Sequence, residues 1–135
     1  MNDTSRFSLF FALALNDALD WRSGSKIQAN DANEDHHIFP KKILENYGYS
    51  KAIRNNPYNF ALVSAKLNRK ISKKEPEKYF VDPNLISDTK WLYSQFVPED
   101  KNLWKVKNYE KFLEYRKNAI NKKLNDFVSK YEAKL

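Results

Sequence analysis

The chain of 135 residues contains no cysteine and only two glycines. The absence of cysteine excludes disulfides, cysteine-bound zinc and a thiol nucleophile, so any metal must be held by nitrogen or oxygen ligands. A reducing cytoplasm is the expected compartment. With so few glycines, a Gly-rich phosphate-binding loop is not expected either.

Long hydrophobic runs are also missing. The apolar run Phe7 to Leu15 is roughly half the length that spans a bilayer. The segment MNDTSR before it has no net positive charge, which argues against a secretory signal peptide. We therefore expect no membrane association.

Positive charge and aromatic side chains are in excess. The chain has 24 Lys and Arg against 17 Asp and Glu, a formal charge of +7, and 15% aromatic residues. This balance is typical of proteins that bind polyanions, although lysines that only keep a protein soluble would give the same count. The length predicts one domain over residues 1–135 with a single core.

Apolar periodicity predicts helices at both ends of the chain. The first runs from Thr4, as the N-cap, to Leu19, and it has so little polar face that we expect burial on more than one side. Such a helix at the start favours an origin as the C-terminal part of a larger protein. A short helix is expected over Ser87–Gln95. The last helix is long and amphipathic, and its apolar and aromatic face predicts core packing rather than stacking on bases. The residues of this stripe are Tyr109, Phe112, Leu113, Ile120, Leu124, Phe127, Val128, Tyr131 and Leu135.

Short strands are predicted between these helices. One candidate lies near Lys26 to Ala29, and a second covers Asp35 to Phe39 and is stopped by Pro40. A third, NFALVS, begins at Asn59 and precedes the helix AKLNRKISKK, for which Ser64 is a suitable cap. The fold class expected from these elements is α+β.

The two histidines of the chain are adjacent, in the segment EDHHIFPKKIL. A strand with His36 and His37, a second strand beginning at Asn59 and a helix bearing Asn68 form a strand-strand-helix unit that could bring imidazoles and a carboxamide to one point. Phosphodiester hydrolysis needs a base, a divalent cation and positive charge for the flanking phosphates. The candidate phosphate-binding residues are Lys66, Arg69, Lys70, Lys73 and Lys74.

Each of these residues also has a plain structural interpretation. Both histidines could be strand residues with satisfied hydrogen bonds, Asn68 a surface helix residue and Asn59 a turn residue. A run of lysines is usually a solvated face. The histidines, asparagines and lysines support a functional site only when they are taken together. The three tryptophans are assigned to packing.

The segment DHHIFP together with Asn59 and Asn68 resembles the HNH nuclease motif, also called the ββα-metal or His-Me finger. More narrowly, the segments HHIFPKKIL, NRKISKKEPEKYF and YEKFLEYRKNAINKKL resemble the C-terminal nuclease domain of GmrSD-like restriction proteins, and NDALDWRSGSKI fits the same group. This resemblance covers most of the chain. It implies a small two-stranded ββα-metal finger surrounded by helices, and a metal-dependent endonuclease that hydrolyses DNA in restriction or phage defence.

The resemblance also implies a role for each residue of the motif. In the family a proline lies three residues after the general base, so Pro40 selects His37 as the base and His36 as a metal ligand. Asn68 would give its side-chain oxygen to the metal. Asn59 would complete the catalytic set by bonding the backbone of the loop that bears the histidines.

The implied metal ligands are neutral. Many family members have histidine where this chain has Asn68. The assignment of His37 as the base and His36 as the ligand leaves Asp35 outside the ligand set. A cation held without a carboxylate would keep several waters, which favours weakly bound Mg²⁺ or Mn²⁺. If Asp35 does coordinate, the affinity should be higher.

Two other functions stay open at this level. The chain could be a nucleic-acid-binding module with a decayed HNH site, or it could cleave RNA. Both alternatives predict salt-dependent binding to nucleic acid, and cleavage that depends on Mg²⁺ separates the nuclease from the binder. Proteins of this kind often carry an N-terminal domain linked to nucleotide hydrolysis and to recognition of modified phage DNA, so a further domain or partner subunit is expected outside this chain.

Overall fold

Two short antiparallel strands form the centre of the fold: β1 (Asn33–His37) and β2 (Phe60–Ser64). The computed structural model describes residues 1–28 and 33–134. Over these residues the sheet is surrounded by α1 (Asp3–Leu15), α2 (Lys41–Asn46), α3 (Lys51–Arg54), α4 (Ala65–Ile71), α5 (Pro76–Tyr79), α6 (Thr89–Tyr93) and α7 (Tyr109–Ala133), with 3₁₀ turns at Pro57–Asn59, Lys101–Trp104 and Val106–Asn108. The expected α+β class, with a two-stranded sheet and a long C-terminal helix, is confirmed.

The pleat of the sheet separates neighbouring residues into two packing environments. The register pairs His36 with Ala61 and His37 with Phe60. Ala61 packs in the larger cluster with Trp21, whereas Phe60 packs in a second cluster against α1 and α7. Because side chains alternate along a strand, the two histidines enter different environments.

Buried polar side chains cover the edge of β2 that does not pair with β1. The amide of Gln95 accepts from the N–H of Leu62 at 2.9 Å and donates to its C=O at 2.7 Å. The guanidinium of Arg116 donates to the C=O of Phe60 at 2.7 Å. These bonds satisfy an edge that would otherwise leave backbone groups unpaired.

Aromatic rings fill the larger cluster. Phe80 makes edge-to-face contacts with both Trp21 and Trp104, at centroid distances of 5.6 and 5.1 Å. Trp21 and Trp104 are buried and Trp91 packs against the same cluster half-buried. The packing role expected for the tryptophans is therefore confirmed.

Helix α1 differs from its prediction at both ends and in its burial. Asn2 rather than Thr4 caps it, and it ends at Leu15 because Asp17 takes a positive φ of 51°. Burial on more than one side is wrong: Phe7 is 72% exposed, and the buried residues form one stripe of Leu9, Ala12 and Leu13. The reason is that α1 packs on α7 and the first 3₁₀ turn with one face, while Phe7 on another face stays exposed.

The strand and helix limits in the middle of the chain are shifted. Near residues 26–29, Lys26 forms only an isolated bridge with Leu19, and residue 29 lies outside the described residues. Strand β1 covers Asn33–His37 rather than Asp35–Phe39. Helix α4 ends three residues before the predicted limit, because Ser72 takes a φ of 53°. Helix α6 is shorter than the predicted 87–95.

The core packing predicted for helix α7 is confirmed over only part of its length. Tyr109, Phe112, Leu113 and Ile120 are buried, and the fully buried Arg116 shares their face. In the last turns the predicted core packing is wrong, since Phe127, Val128 and Tyr131 are 40, 48 and 60% exposed. Residue 135 lies outside the described residues. The end of α7 extends past the core that the rest of the helix covers.

Among residues 1–28 and 33–134, no helix combines the length and the apolar character needed to cross a membrane.

Candidate functional site

His36 is buried beneath the sheet, with both ring nitrogens within hydrogen-bond distance of a side chain. Its Nδ1 lies 2.7 Å from Oδ1 of Asn68, and its Nε2 lies 3.0 Å from the hydroxyl of Tyr79. Trp21 packs edge-to-face on the ring at 5.8 Å. Burial lowers the pKa of His36 to about 4, because the charged form would lose its hydration. The ring is therefore neutral at physiological pH, the form in which an imidazole binds metals.

Asn68 stands on α4, and its orientation is fixed by a carboxylate. Its Nδ2 donates to Oε2 of Glu34 at 2.7 Å, so its oxygen must face His36. The helix is set by Ser64, whose hydroxyl accepts from the N–H of Leu67 at its N-cap. The asparagine oxygen and the imidazole nitrogen thus converge on one point.

The chemistry of these two atoms fits a weakly held divalent cation. Adjacent ligands of an octahedral Mg²⁺ lie about 2.9–3.0 Å apart when each is about 2.1 Å from the ion. The 2.7 Å between His36 Nδ1 and Asn68 Oδ1 needs an adjustment of only a few tenths of an ångström. One neutral nitrogen and one neutral oxygen leave the remaining positions to water or phosphate, which suits Mg²⁺ or Mn²⁺.

His37 has a different environment, half-buried on the other face of the strand. Its ring packs on that of Phe60 at a centroid distance of 4.3 Å. Its Nε2 lies 2.8 Å from Oδ1 of Asn55, so Nε2–H is the natural donor and Nδ1 keeps its lone pair. Burial lowers the pKa of His37, and the hydrogen bond to Asn55 partly offsets this. The ring is neutral at physiological pH, as a general base must be.

Asn59 is fully buried and ties the loop after the histidines to its surroundings. Its Oδ1 accepts from the N–H of Phe39 at 2.9 Å, and its Nδ2 donates to the C=O groups of Phe39 and Arg54, each at 3.1 Å. These are bonds to the backbone of the segment that bears the histidines, as the resemblance implied. They also end the pairing of β1, because they replace strand hydrogen bonds at Phe39.

A cleft of about 350 Å³ joins these groups at the surface. Its walls include His36, His37 and Asn68 together with Asp35, Pro40, Lys41, Lys42, Glu45, Ser72 and Lys73. Three lysines thus surround two neutral imidazoles and an amide. The cleft offers nitrogen and oxygen ligands, and its charged lining of three lysines against Asp35 and Glu45 is net positive, which suits an anionic substrate.

Only one of the five predicted phosphate-binding residues lines this cleft. That residue is Lys73, and it is placed there because α4 ends at Ser72. Lys66 borders a separate hollow beside Asp20, and the ammonium of Lys74 donates to the C=O of Lys70. Contacts with nucleic acid by Lys66, Arg69, Lys70 and Lys74 stay predictions. The cleft lysines at positions 41 and 42, within the quoted segment HHIFPKKIL, were not singled out.

Asp35 is engaged elsewhere. Arg6 donates through its Nε to both carboxylate oxygens, at 3.1 and 3.0 Å. This ion pair holds Asp35 on the face of the strand opposite His36, and its place outside the ligand set stays a prediction.

Three residues that orient the site were missed by the sequence reasoning. Glu34 aligns Asn68, Asn55 aligns His37, and Tyr79 contacts His36. Glu34 could have been found, since it precedes His36 by two residues and so shares its face of the strand. Tyr79 and Asn55 lie on a separate helix and turn, whose placement no spacing rule gives.

A larger groove of about 650 Å³ lies along α1, away from the histidines. It is lined mainly by Phe7, Phe10, Phe11, Ala14 and Ile27. Its apolar walls lack the converging polar groups of a catalytic site. The smaller polar cleft is therefore the candidate functional site.

Comparison with curated proteins finds "Uncharacterized protein MJ0686" of Methanocaldococcus jannaschii, which is 37% identical to this chain over 101 residues. The matched segment is 73% of this chain and 17% of that protein, so the chain spans about one sixth of the relative's length. No family model matches the chain, and no solved structure matches it.

Proposed function

We propose that this protein is a metal-dependent endonuclease of the HNH type that hydrolyses DNA phosphodiester bonds. The observation that carries the proposal is the 2.7 Å approach of His36 Nδ1 to Asn68 Oδ1, in a cleft that also contains His37.

In this proposal His37 is the general base. Its Nδ1 accepts a proton from the water that attacks phosphorus in line with the departing 3′ oxygen, while Asn55 holds Nε2–H and so keeps the ring aligned. Asn59 supports it indirectly by fixing the backbone at Phe39, two residues further along.

His36 and Asn68 are the proposed holders of Mg²⁺ or Mn²⁺. A bound divalent ion supplies positive charge beside the leaving oxygen. Lys41, Lys42 and Lys73 are placed to bind the phosphates on either side of the scissile bond, because they border the cleft. A role in restriction or phage defence follows from the resemblance to GmrSD-like proteins.

One observation favours the competing function, a nucleic-acid-binding module without catalysis. Within the described part of the chain, no group of three or more His, Asp or Glu side chains is close enough together to hold a metal. Such a module would use the lysine-rimmed cleft only to grip the phosphate backbone. It would bind DNA with the same dependence on salt and leave it intact.

Supercoiled plasmid incubated with the purified chain separates these functions. We expect nicking with Mg²⁺ or Mn²⁺ and none with EDTA. The variant Asn68→Ala should lose nicking, whereas Asn118→Ala, which removes an exposed asparagine on α7, should keep it. Salt-dependent binding without nicking under any of these conditions would replace the nuclease with the binding module. Single-stranded RNA in place of the plasmid tests whether RNA is the substrate.

A further inference from the structure

Tyr79 links the candidate metal ligand His36 to the backbone of the loop beside the candidate base. Its hydroxyl donates to the C=O of Ile38 at 2.8 Å and lies 3.0 Å from Nε2 of His36. Tyr79 is fully buried and closes the core behind the imidazole. Its side chain reaches this point because Ser72 turns the chain after α4 and Pro76 begins a new helix.

The direction of each hydrogen bond follows from the groups involved. The C=O of Ile38 can only accept, so it takes the single hydroxyl hydrogen of Tyr79. The oxygen of Tyr79 is then an acceptor toward His36, and the imidazole must carry its hydrogen on Nε2. A phenol is protonated at neutral pH, so the hydroxyl has one hydrogen to donate.

The opposite ring nitrogen is then left without a hydrogen. Nδ1 of His36 carries a lone pair and faces Oδ1 of Asn68, which is also an acceptor because Glu34 takes the amide hydrogen. Two acceptors at 2.7 Å repel unless positive charge lies between or beside them. A divalent cation bound by both atoms removes that conflict, and every other bond in the chain from Ile38 to Glu34 is satisfied.

We infer that Tyr79 is a positioning residue that holds His36 with its proton on Nε2, so that Nδ1 and the Asn68 oxygen together face a divalent cation. The inference rests on the proposed function, because it concerns the same cation. It adds a residue that touches neither metal nor substrate. Partners of this kind, which orient a ligating histidine, typically change metal affinity about 10- to 100-fold when removed.

The test compares the wild type with Tyr79→Phe in two measurements. Long-range ¹H–¹⁵N NMR correlations of the metal-free protein report which nitrogen of His36 carries the hydrogen. We expect Nε2–H in the wild type and a shift to Nδ1–H in Tyr79→Phe, where Asn68 becomes the available acceptor. Titration with Mg²⁺, followed by the His36 resonances, should then show affinity about 10- to 100-fold lower in the variant.

Tyr109→Phe is the matched control. Tyr109 is also buried and donates its hydroxyl to a backbone C=O, that of Ile53 at 2.7 Å, but its hydroxyl makes no bond to either histidine. It should show the same modest loss of stability in urea unfolding with the His36 tautomer and Mg²⁺ affinity unchanged. This separates positioning from a general effect of removing a buried hydroxyl.

Two results would overturn the inference. One is a metal-free wild type with hydrogen on Nδ1 of His36, and the other is a Tyr79→Phe variant with unaltered tautomer and Mg²⁺ affinity. Either result leaves the nuclease proposal standing if the wild type nicks plasmid. Conversely, Nε2–H in the wild type and its loss in Tyr79→Phe would support the positioning role even if the protein proved to cleave nothing.

Discussion

His36 and His37 are neighbours with the same side chain, yet the fold gives them opposite environments. His36 is 3% exposed and both of its nitrogens are within hydrogen-bond distance of protein side chains. His37 is half-buried and one of its nitrogens bonds to Asn55, while Nδ1 has no hydrogen-bond partner among residues 1–28 and 33–134. The pleat of β1 makes this difference, since it directs alternate side chains to opposite faces.

Under the proposed nuclease function, the two adjacent histidines would divide one reaction between them. A ring that must hold a cation in a fixed place benefits from rigid partners on its buried side, whereas a ring that must take a proton needs an accessible lone pair. Each histidine meets one of these requirements and not the other. Three experiments test this division.

The largest effect is expected for the proposed general base. His37→Ala should lower the rate of plasmid nicking by roughly 10² to 10⁴, because a positioned base typically contributes that much. Binding of DNA and of Mg²⁺ should be nearly unchanged, since the proposed ligands are left in place. Nicking rates at saturating Mg²⁺, with binding measured by filter retention in EDTA, check this. Equal activity in the variant would remove His37 from the mechanism.

A smaller effect is expected on stability, and it belongs to His36. Its pKa is about 4 in the folded protein and 6.5 when exposed, so between these values the unfolded chain binds the proton more tightly. The free energy of unfolding is therefore highest, as far as His36 is concerned, above pH 6.5. It falls by about 3 kcal/mol as the pH decreases toward 4.

Urea unfolding of the metal-free protein at several pH values measures this loss. His36→Gln should flatten the pH dependence between 6.5 and 4, whereas His37→Gln should preserve most of it because its ring is half-buried. All three proteins contain the same carboxylates, so the difference between the variants isolates the histidines. The same slope in wild type and His36→Gln would contradict the buried neutral ring.

The smallest effect is expected where the partner of His37 is removed. Asn55→Ala leaves the imidazole in place but frees Nε2–H, and the ring is then aligned only by its packing on Phe60. We expect nicking to fall by about tenfold, which corresponds to about 1.4 kcal/mol, with Mg²⁺ affinity unchanged. Asn118→Ala, which removes an exposed asparagine on α7, is the control. A loss as large as that of His37→Ala would mean that Asn55 does more than orient the ring.

Local patterns were sufficient to predict the longest helices and the two paired strands, although not every short element. Apolar periodicity located α1 and α7, and the apolar segment after Asn59 located β2. The same patterns gave the wrong limits for α1 and α4, where Asp17 and Ser72 take positive φ values that neither residue type requires. Such conformations are imposed by the chain on either side, so they leave no local signal.

Burial was harder to predict than secondary structure. The stripe on α7 continues through Phe127, Val128 and Tyr131 with the same spacing, although these residues are exposed. Periodicity says which residues share a face but not how far the neighbouring elements reach along it. In the middle of that stripe lies Arg116, a charged residue that is fully buried because it bonds the C=O groups of Tyr58, Phe60 and Gln95.

The order of residues in this chain was enough to identify the parts of the candidate site: two adjacent histidines on a strand, a proline three residues after the second, an asparagine just before the next strand and another on the helix that follows. These residues lie on strands and a short helix, and the local geometry of such elements is nearly fixed over a few residues. The tertiary structure alone decided which nitrogen each ring presents, because Tyr79, Asn55 and Glu34 arrive from different segments. Their hydrogen bonds depend on how those segments pack, and no short-range rule contains that information.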